Sequence, residues 1–190
     1  ILSSEEPERG GFVYFTPMRP GHYRVYSQPE TSFWCCVGTG LENHAKYGES
    51  IYAHDKNALY VNLFIPSRVT WEEKGVVFSQ RTRFPNDGAV DFVFDDAENK
   101  KLALKLRIPS WVVEPEKIKV FVNDELLQFG AVTGEYLTLE RKWEKGDRVS
   151  LHLPMQVNLV QMPDKSPFYA FQYGPIVLAA ACDTAQQIGL

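Results

Sequence analysis

Beyond Asp55 the sequence breaks into short apolar segments at 8–15 residue spacing, each closed by turn formers, with no helical pattern between them. That succession constrains the fold more than any other feature. Short strands without intervening helices cannot build a parallel βαβ sheet, so they predict an antiparallel sandwich of two sheets. The strands expected are Ala58–Ile65, Gly75–Arg83, Val90–Asp95, Lys101–Ile108, Lys117–Asn123, Glu135–Glu140, Arg148–Pro154, Gln156–Gln161, Phe168–Tyr173 and Ile176–Ala181. In the fourth, Leu102, Leu104, Leu106 and Ile108 alternate with Lys101, Lys105 and Arg107, one face for a core and one for water. Asn86-Asp87-Gly88, Asn123-Asp124, Lys145-Gly146-Asp147 and Tyr173-Gly174-Pro175 supply the turns.

Ahead of Asp55 the grammar differs. Residues 1–31 combine Pro7, Gly10-Gly11, Pro17, Pro20-Gly21 and Pro29 with Phe12, Tyr14, Phe15, Tyr23 and Tyr26. This is a long irregular loop with aromatic content suited to lining a site or sealing an interface. A helix is expected from Thr39 or Gly40 to about Ala53, with Leu41, Ala45, Gly48 or Glu49, and Tyr52 on one face and Glu42 in its first turn. The division predicted is residues 1–56 (loop, cysteine pair and helix) and residues 57–190 (β-sandwich). With 190 residues, 44% of them hydrophobic, the chain can bury a real core.

Charge excludes one class of partner: the net charge is only -4 and the 20 basic residues are scattered, which is not the footprint of a nucleic-acid binder. No apolar run approaches the ~20 residues of a membrane span. The opening Ile1-Leu2-Ser3-Ser4 has neither the charged nor the apolar region of a signal peptide. It reads as the start of a processed or truncated chain.

The chemistry concentrates at Cys35-Cys36, between Trp34 and the Gly38-Thr39-Gly40 that opens the expected helix. Adjacent cysteines bridge only through a strained ring, so thiol or metal chemistry is the natural use. Amides and the dipole at a helix start favour a thiolate, which is both nucleophile and soft metal ligand. The competing reading is a pair of small buried hydrophobes. Two thiolates do not complete a tetrahedral zinc site; His44 and Glu42 are local candidates, whereas His22, His54 and His152 belong to no pattern. Cys182 follows an apolar run and reads as core.

The stretch from Phe33 to Glu49, Phe-Trp-Cys-Cys-Val-Gly-Thr-Gly-Leu-Glu-Asn-His-Ala-Lys-Tyr-Gly-Glu, resembles the vicinal-cysteine signature of the bacterial β-L-arabinofuranosidases of glycoside hydrolase family 127 and of its relative, family 146. Tyr14-Phe15-Thr16-Pro17-Met18, Tyr60-Val61-Asn62-Leu63-Phe64-Ile65 and Tyr173-Gly174-Pro175-Ile176-Val177-Leu178-Ala179 add to the resemblance. It implies that residues 1–56 end a catalytic (α/α)6 barrel lying mostly upstream, and that a jelly-roll-like sandwich follows. It further implies zinc held by Cys35, Cys36 and an upstream Glu and Cys, with Cys35 as the nucleophile of a retaining glycosidase, Tyr14 lining the sugar pocket, and an upstream Glu as general acid and base. The substrate implied is L-arabinofuranose or a similar sugar on plant glycans, and the location periplasmic or secreted, the cytoplasm being the alternative.

This sequence has no Glu-x-Cys motif before Cys35. The expectation is therefore a C-terminal fragment that needs its own upstream barrel as partner, neither binding zinc tightly nor hydrolysing a glycoside alone. From another class comes the reading of a non-catalytic sandwich with a structural role, or one that binds carbohydrate through Trp71, Trp111 or Trp143.

Overall fold

The computed structural model describes residues 5–6, 8–16, 23–32 and 34–180, and within them not the side chains of Cys36, Leu41 and Lys100. They fall into two compact units, one reaching to Gly48 and one from Glu49 to Ala179. His22 and Cys182 lie outside the described residues, as does the end of the strand expected at Ile176–Ala181.

In the first unit a small hairpin, β1 (Glu5–Glu6) and β2 (Gly11–Phe12), precedes the helix α1 (Cys35–Ile51). The helix begins four residues before Thr39. Gly38 and Gly40, which suggested a helix start, lie within its first turns; a glycine inside a helix costs about 1 kcal/mol and does not forbid it. No acidic residue falls in the first turn, so Glu42 is not the dipole partner that the later start implied.

The second unit is mainly β. Its strands are β3 (Tyr52–His54), β4 (Ala58–Val61), β5 (Ser67–Trp71), β6 (Val76–Thr82), β7 (Ala89–Asp96), β8 (Lys100–Arg107), β9 (Lys119–Val122), β10 (Glu125–Leu126), β11 (Tyr136–Trp143), β12 (Arg148–His152), β13 (Val157–Gln161), β14 (Tyr169–Tyr173) and β15 (Ile176–Leu178). A six-stranded sheet in the order β10-β9-β12-β7-β6-β5 and a four-stranded sheet β11-β8-β4-β3 enclose one core. β13, β14 and β15 form a separate antiparallel sheet.

Burial follows the alternation. Leu102, Leu104, Leu106 and Ile108 are buried, and they meet Phe78, Phe92, Phe94, Val120 and Leu151 of the six-stranded sheet within a single cluster. Trp143 is fully buried, stacked on Phe94 at 4.4 Å, and its Nε1 donates to the Leu102 carbonyl at 2.9 Å. One pairing departs from the antiparallel expectation: β4 runs parallel to β8. After β4 the chain builds β5, β6 and β7 in the other sheet, then returns beside β4 in the same direction.

Candidate active site

The first unit brings Tyr14 to Cys35. Phe12 and Ser27 are joined twice, Phe12 N–H donating to Ser27 Oγ at 2.9 Å and Ser27 N–H donating to the Phe12 carbonyl at 2.9 Å. Val13 bridges Tyr26 in antiparallel fashion. The approach is so close that a Cβ on Gly11 would lie 2.3 Å from the Ser27 carbonyl oxygen, so glycine is required there. From this anchored segment Tyr14 projects to the helix start, where its hydroxyl lies 3.3 Å from Cys35 Sγ. Its ring packs edge-on against Phe15 at 4.4 Å and Trp34 at 5.7 Å. The part played by Trp34 carries no signal in the sequence, because an aromatic beside a cysteine has many uses.

Cys35 is an exposed thiol outside any disulfide. It is the first residue of α1, where amides of the opening turn lack partners within the helix and the dipole places its positive end. Val37 N–H donates to the Trp34 carbonyl at 3.0 Å and Thr39 Oγ1 to the Cys35 carbonyl at 3.4 Å, which ties the cysteine backbone into the helix. The arrangement holds a thiol sulfur at the surface with a hydroxyl beside it. Cys36 occupies the next position of α1; its side chain lies outside the described residues.

Zinc, which the resemblance implies, suits this site in kind, since thiolates at a helix start are soft ligands. Its four-ligand shell would be half supplied by Cys35 and Cys36. His44 and Glu42 stand roughly 13 Å and 10 Å along the helix axis from Cys35, at ~1.5 Å of rise per residue. His44 packs edge-on against Tyr47, whose hydroxyl accepts from Asn43 Nδ2 at 2.6 Å. Among the described residues no group of three or more His, Cys, Asp or Glu could hold a metal. No helix among them is long and apolar enough to cross a membrane.

The tryptophans proposed as sugar platforms are differently placed. Trp143 and Trp71 are core residues, and Trp71 is further covered by the His54 ring at 4.7 Å. Trp111 is half-buried and stacks on Phe84 at 6.1 Å. His152, on β12, makes an edge contact with Phe121.

The family model described as the GH127 middle domain of β-L-arabinofuranosidase matches residues 58–155, and that of the GH127 catalytic domain matches residues 1–49. Among solved structures, a GH127 β-L-arabinofuranosidase from Geobacillus stearothermophilus T6 superposes with a TM-score of 0.70 at 29% identity, over 80% of this chain and 25% of that one. A GH127 β-arabinofuranosidase gives 0.77 at 26%, over 93% and 30% of the two chains. A glycoside hydrolase at 24% identity shares the fold, with a TM-score of 0.76 over 93% and 31%. This chain thus spans about a quarter to a third of the length of the structures it matches. No curated protein matches it. With one family match over more than half of its length and another over the segment that carries Tyr14 and Cys35, the chain belongs to glycoside hydrolase family 127, the β-L-arabinofuranosidase family.

Proposed function

We propose that this chain is the nucleophile-bearing part of a retaining glycosidase that releases L-arabinofuranose or a similar sugar from plant glycans. The observation that carries the reading is the exposed Cys35 thiol at the start of α1 with the Tyr14 hydroxyl 3.3 Å from its sulfur. The Cys35 thiolate attacks the anomeric carbon, a C–S bond forming as the C–O bond to the leaving group breaks. A carboxylic acid elsewhere in the enzyme protonates the departing oxygen; as carboxylate it then takes a proton from the water that displaces sulfur, and two inversions give retention. Tyr14 positions the sulfur and lines the sugar pocket, while Trp34 and Phe15 hold its ring. Cys35 and Cys36 would hold zinc together with two ligands from outside residues 1–190. Bound zinc supplies the positive charge that keeps both sulfurs ionised near neutral pH.

Residues 1–56 would complete a catalytic (α/α)6 barrel and residues 57–190 form the sandwich that buttresses it. The chain's span of about a third or less of its solved relatives supports this division of labour. The burial of Trp71 and Trp143 favours buttressing over sugar binding through tryptophan. Comparing the full-length enzyme with Cys35→Ser, for zinc content and for turnover of an aryl β-L-arabinofuranoside, tests the reading. Turnover is expected to fall by several orders of magnitude; equal metal and equal activity would end it. Hydrolysis by the 190 residues alone would overturn the dependence on an upstream barrel.

A further inference from the structure

On the outer face of the four-stranded sheet, the register sets Ala58 beside Ala103, and Ala103 beside Glu140. The next row is Tyr60, Lys105 and Thr138. Two small side chains side by side leave a hollow of about 650 Å³, floored by Ala58 and Ala103 and walled by Asp55, Lys101, Lys105, Thr138 and Glu140. Its size is within the ~300–1,000 Å³ range of small-ligand clefts.

The wall is held in place from below. Asp55 Oδ1 accepts from the amides of Asn57 and Ala58 at 2.8 and 2.9 Å, and Oδ2 from the Tyr60 hydroxyl at 2.8 Å. The same hydroxyl accepts from Lys105 Nζ at 3.0 Å, and Lys105 sits over the Tyr60 ring. The Tyr60 ring in turn packs edge-on against Tyr136 at 5.4 Å. The Asn57 amide and then Tyr60 hold the Asp55 carboxyl below its ordinary pKa, and the Tyr60 hydroxyl holds Lys105 above its own. Across the hollow Lys101 pairs with Glu140 at 3.0 Å. An ammonium has three donor hydrogens, so both lysines retain donors beyond these bonds, and both carboxylates have lone pairs to spare. On the Asp55–Lys105 side a ligand binds without first paying the entropy of fixing those side chains, while Lys101 and Glu140 form an exposed pair.

We infer that this hollow binds an uncharged, hydroxyl-rich ligand, a segment of glycan chain, through Asp55, Lys101, Lys105, Thr138 and Glu140 over the Ala58–Ala103 floor. Two cations and two anions around one hollow cancel. A phosphate would face Asp55 and Glu140, and a metal ion would face two lysines; a sugar, each hydroxyl of which both donates and accepts, suits both signs. The inference rests on the reading that the protein works on glycans, and adds a binding site on the sandwich that does not depend on tryptophan.

Amide NMR of the 190-residue chain carrying Leu159→Thr and Phe171→Thr, which remove the exposed apolar centre of the β13–β14–β15 sheet, titrated with a linear L-arabino-oligosaccharide tests it. Saturable shifts are expected at Ala58, Ala103, Lys105 and Thr138, retained in Cys35→Ser and weakened at least tenfold in Ala103→Leu, which fills the floor. Thr138→Val, an exposed change that suits a strand, should weaken binding too. No shifts at these amides, shifts equal in both filled and polar-deleted variants, or tighter saturation of the same amides by inorganic phosphate would overturn the inference. The two readings fail separately. A silent hollow with Cys35-dependent turnover in the full-length enzyme sinks only the binding site, whereas binding at the hollow with turnover independent of Cys35 sinks only the assigned nucleophile.

Discussion

Gly11 and Tyr52 show how much rests on single side chains, one by its absence and one by its hydroxyl. A methyl group at Gly11 would meet backbone, not a movable side chain, so Gly11→Ala must push the 11–14 segment away from Ser27. Overpacking of this kind costs roughly 1–3 kcal/mol. The expected readout is hydrogen exchange at the Phe12 and Ser27 amides faster by about tenfold or more, the equivalent of ~1.4 kcal/mol, with a parallel loss of turnover in the full-length enzyme as Tyr14 leaves Cys35. Unchanged protection would show that the segment yields without cost. Tyr14→Phe removes only the hydroxyl; with Cys35 acting as the proposed thiolate, a bond of ~1.5–3 kcal/mol corresponds to a loss of roughly 10- to 100-fold in kcat/KM. Tyr52 carries a pH effect. Burial raises its phenol above its ordinary value of 10.0, against the opposing hydrogen bonds of Ser67 and Gln80. A raised folded pKa gives stability that is whole below pH 10 and lost as pH climbs toward the folded value. Tyr52→Phe should therefore cost about 1 kcal/mol near neutral pH, the worth of the 3.0 Å bond to Ser67 Oγ, and progressively less above pH 10. Urea titrations of both proteins at pH 7 and pH 11 measure the difference; a constant gap would mean that Tyr52 does not titrate with folding.

At the level of elements, the strands with a clean apolar period were legible and those without it were not. Lys101–Ile108 announced β8 because every second residue is apolar, and the structure buries that set. β5 was missed because in Ser67-Arg68-Val69-Thr70-Trp71 only the last residue is buried, so no apolar period marks it. β3 was read as the tail of α1, since Tyr52 and Ala53 suit either state. The helix start was misplaced for the converse reason: nothing lies within 4 Å of where a Cβ on Gly38 or Gly40 would be, so these glycines mark no tight turn. The parallel β4–β8 pairing depends on which sheet each strand joins, and local sequence does not encode that. Of the candidate site, the thiol at a helix start could be read from the residues, whereas Tyr14 came only with the family resemblance. The two residues in contact are 21 apart in the sequence. The β9–β10 turn was marked by Asn123-Asp124, and both residues take left-handed backbone, φ 50° and 67°. Asn and Asp tolerate that region and β-branched residues do not. Asp124→Gly should leave stability within about 0.5 kcal/mol, while Asp124→Val should cost about 1–2 kcal/mol by thermal denaturation. A neutral valine would mean that the turn relaxes to another type.

For the whole molecule, the contrast lies between a sandwich that hides its apolar residues and a three-stranded sheet that does not. Val157, Leu159, Tyr169, Phe171, Tyr173, Val177 and Leu178 on β13, β14 and β15 are all exposed, and Phe168 with them. Cross-strand register brings Leu159 opposite Phe171 and Phe171 opposite Leu178, so these three share one face across all three strands. A contiguous apolar face of this kind exposed to water is a site of association or aggregation. The 190-residue chain should therefore bind a hydrophobic dye and scatter light increasingly with concentration in the micromolar range. Replacing Leu159 and Phe171 together by Thr keeps strand propensity, removes the centre of the face and touches no residue of the sandwich core. The double variant should scatter less at equal concentration, while the sandwich melts within a few degrees of the original, as expected for surface changes of about 0.5 kcal/mol each. If association persists undiminished in the variant, it originates elsewhere on the molecule. If instead the melting temperature collapses, Leu159 and Phe171 contribute to the stability of the second unit despite their exposure.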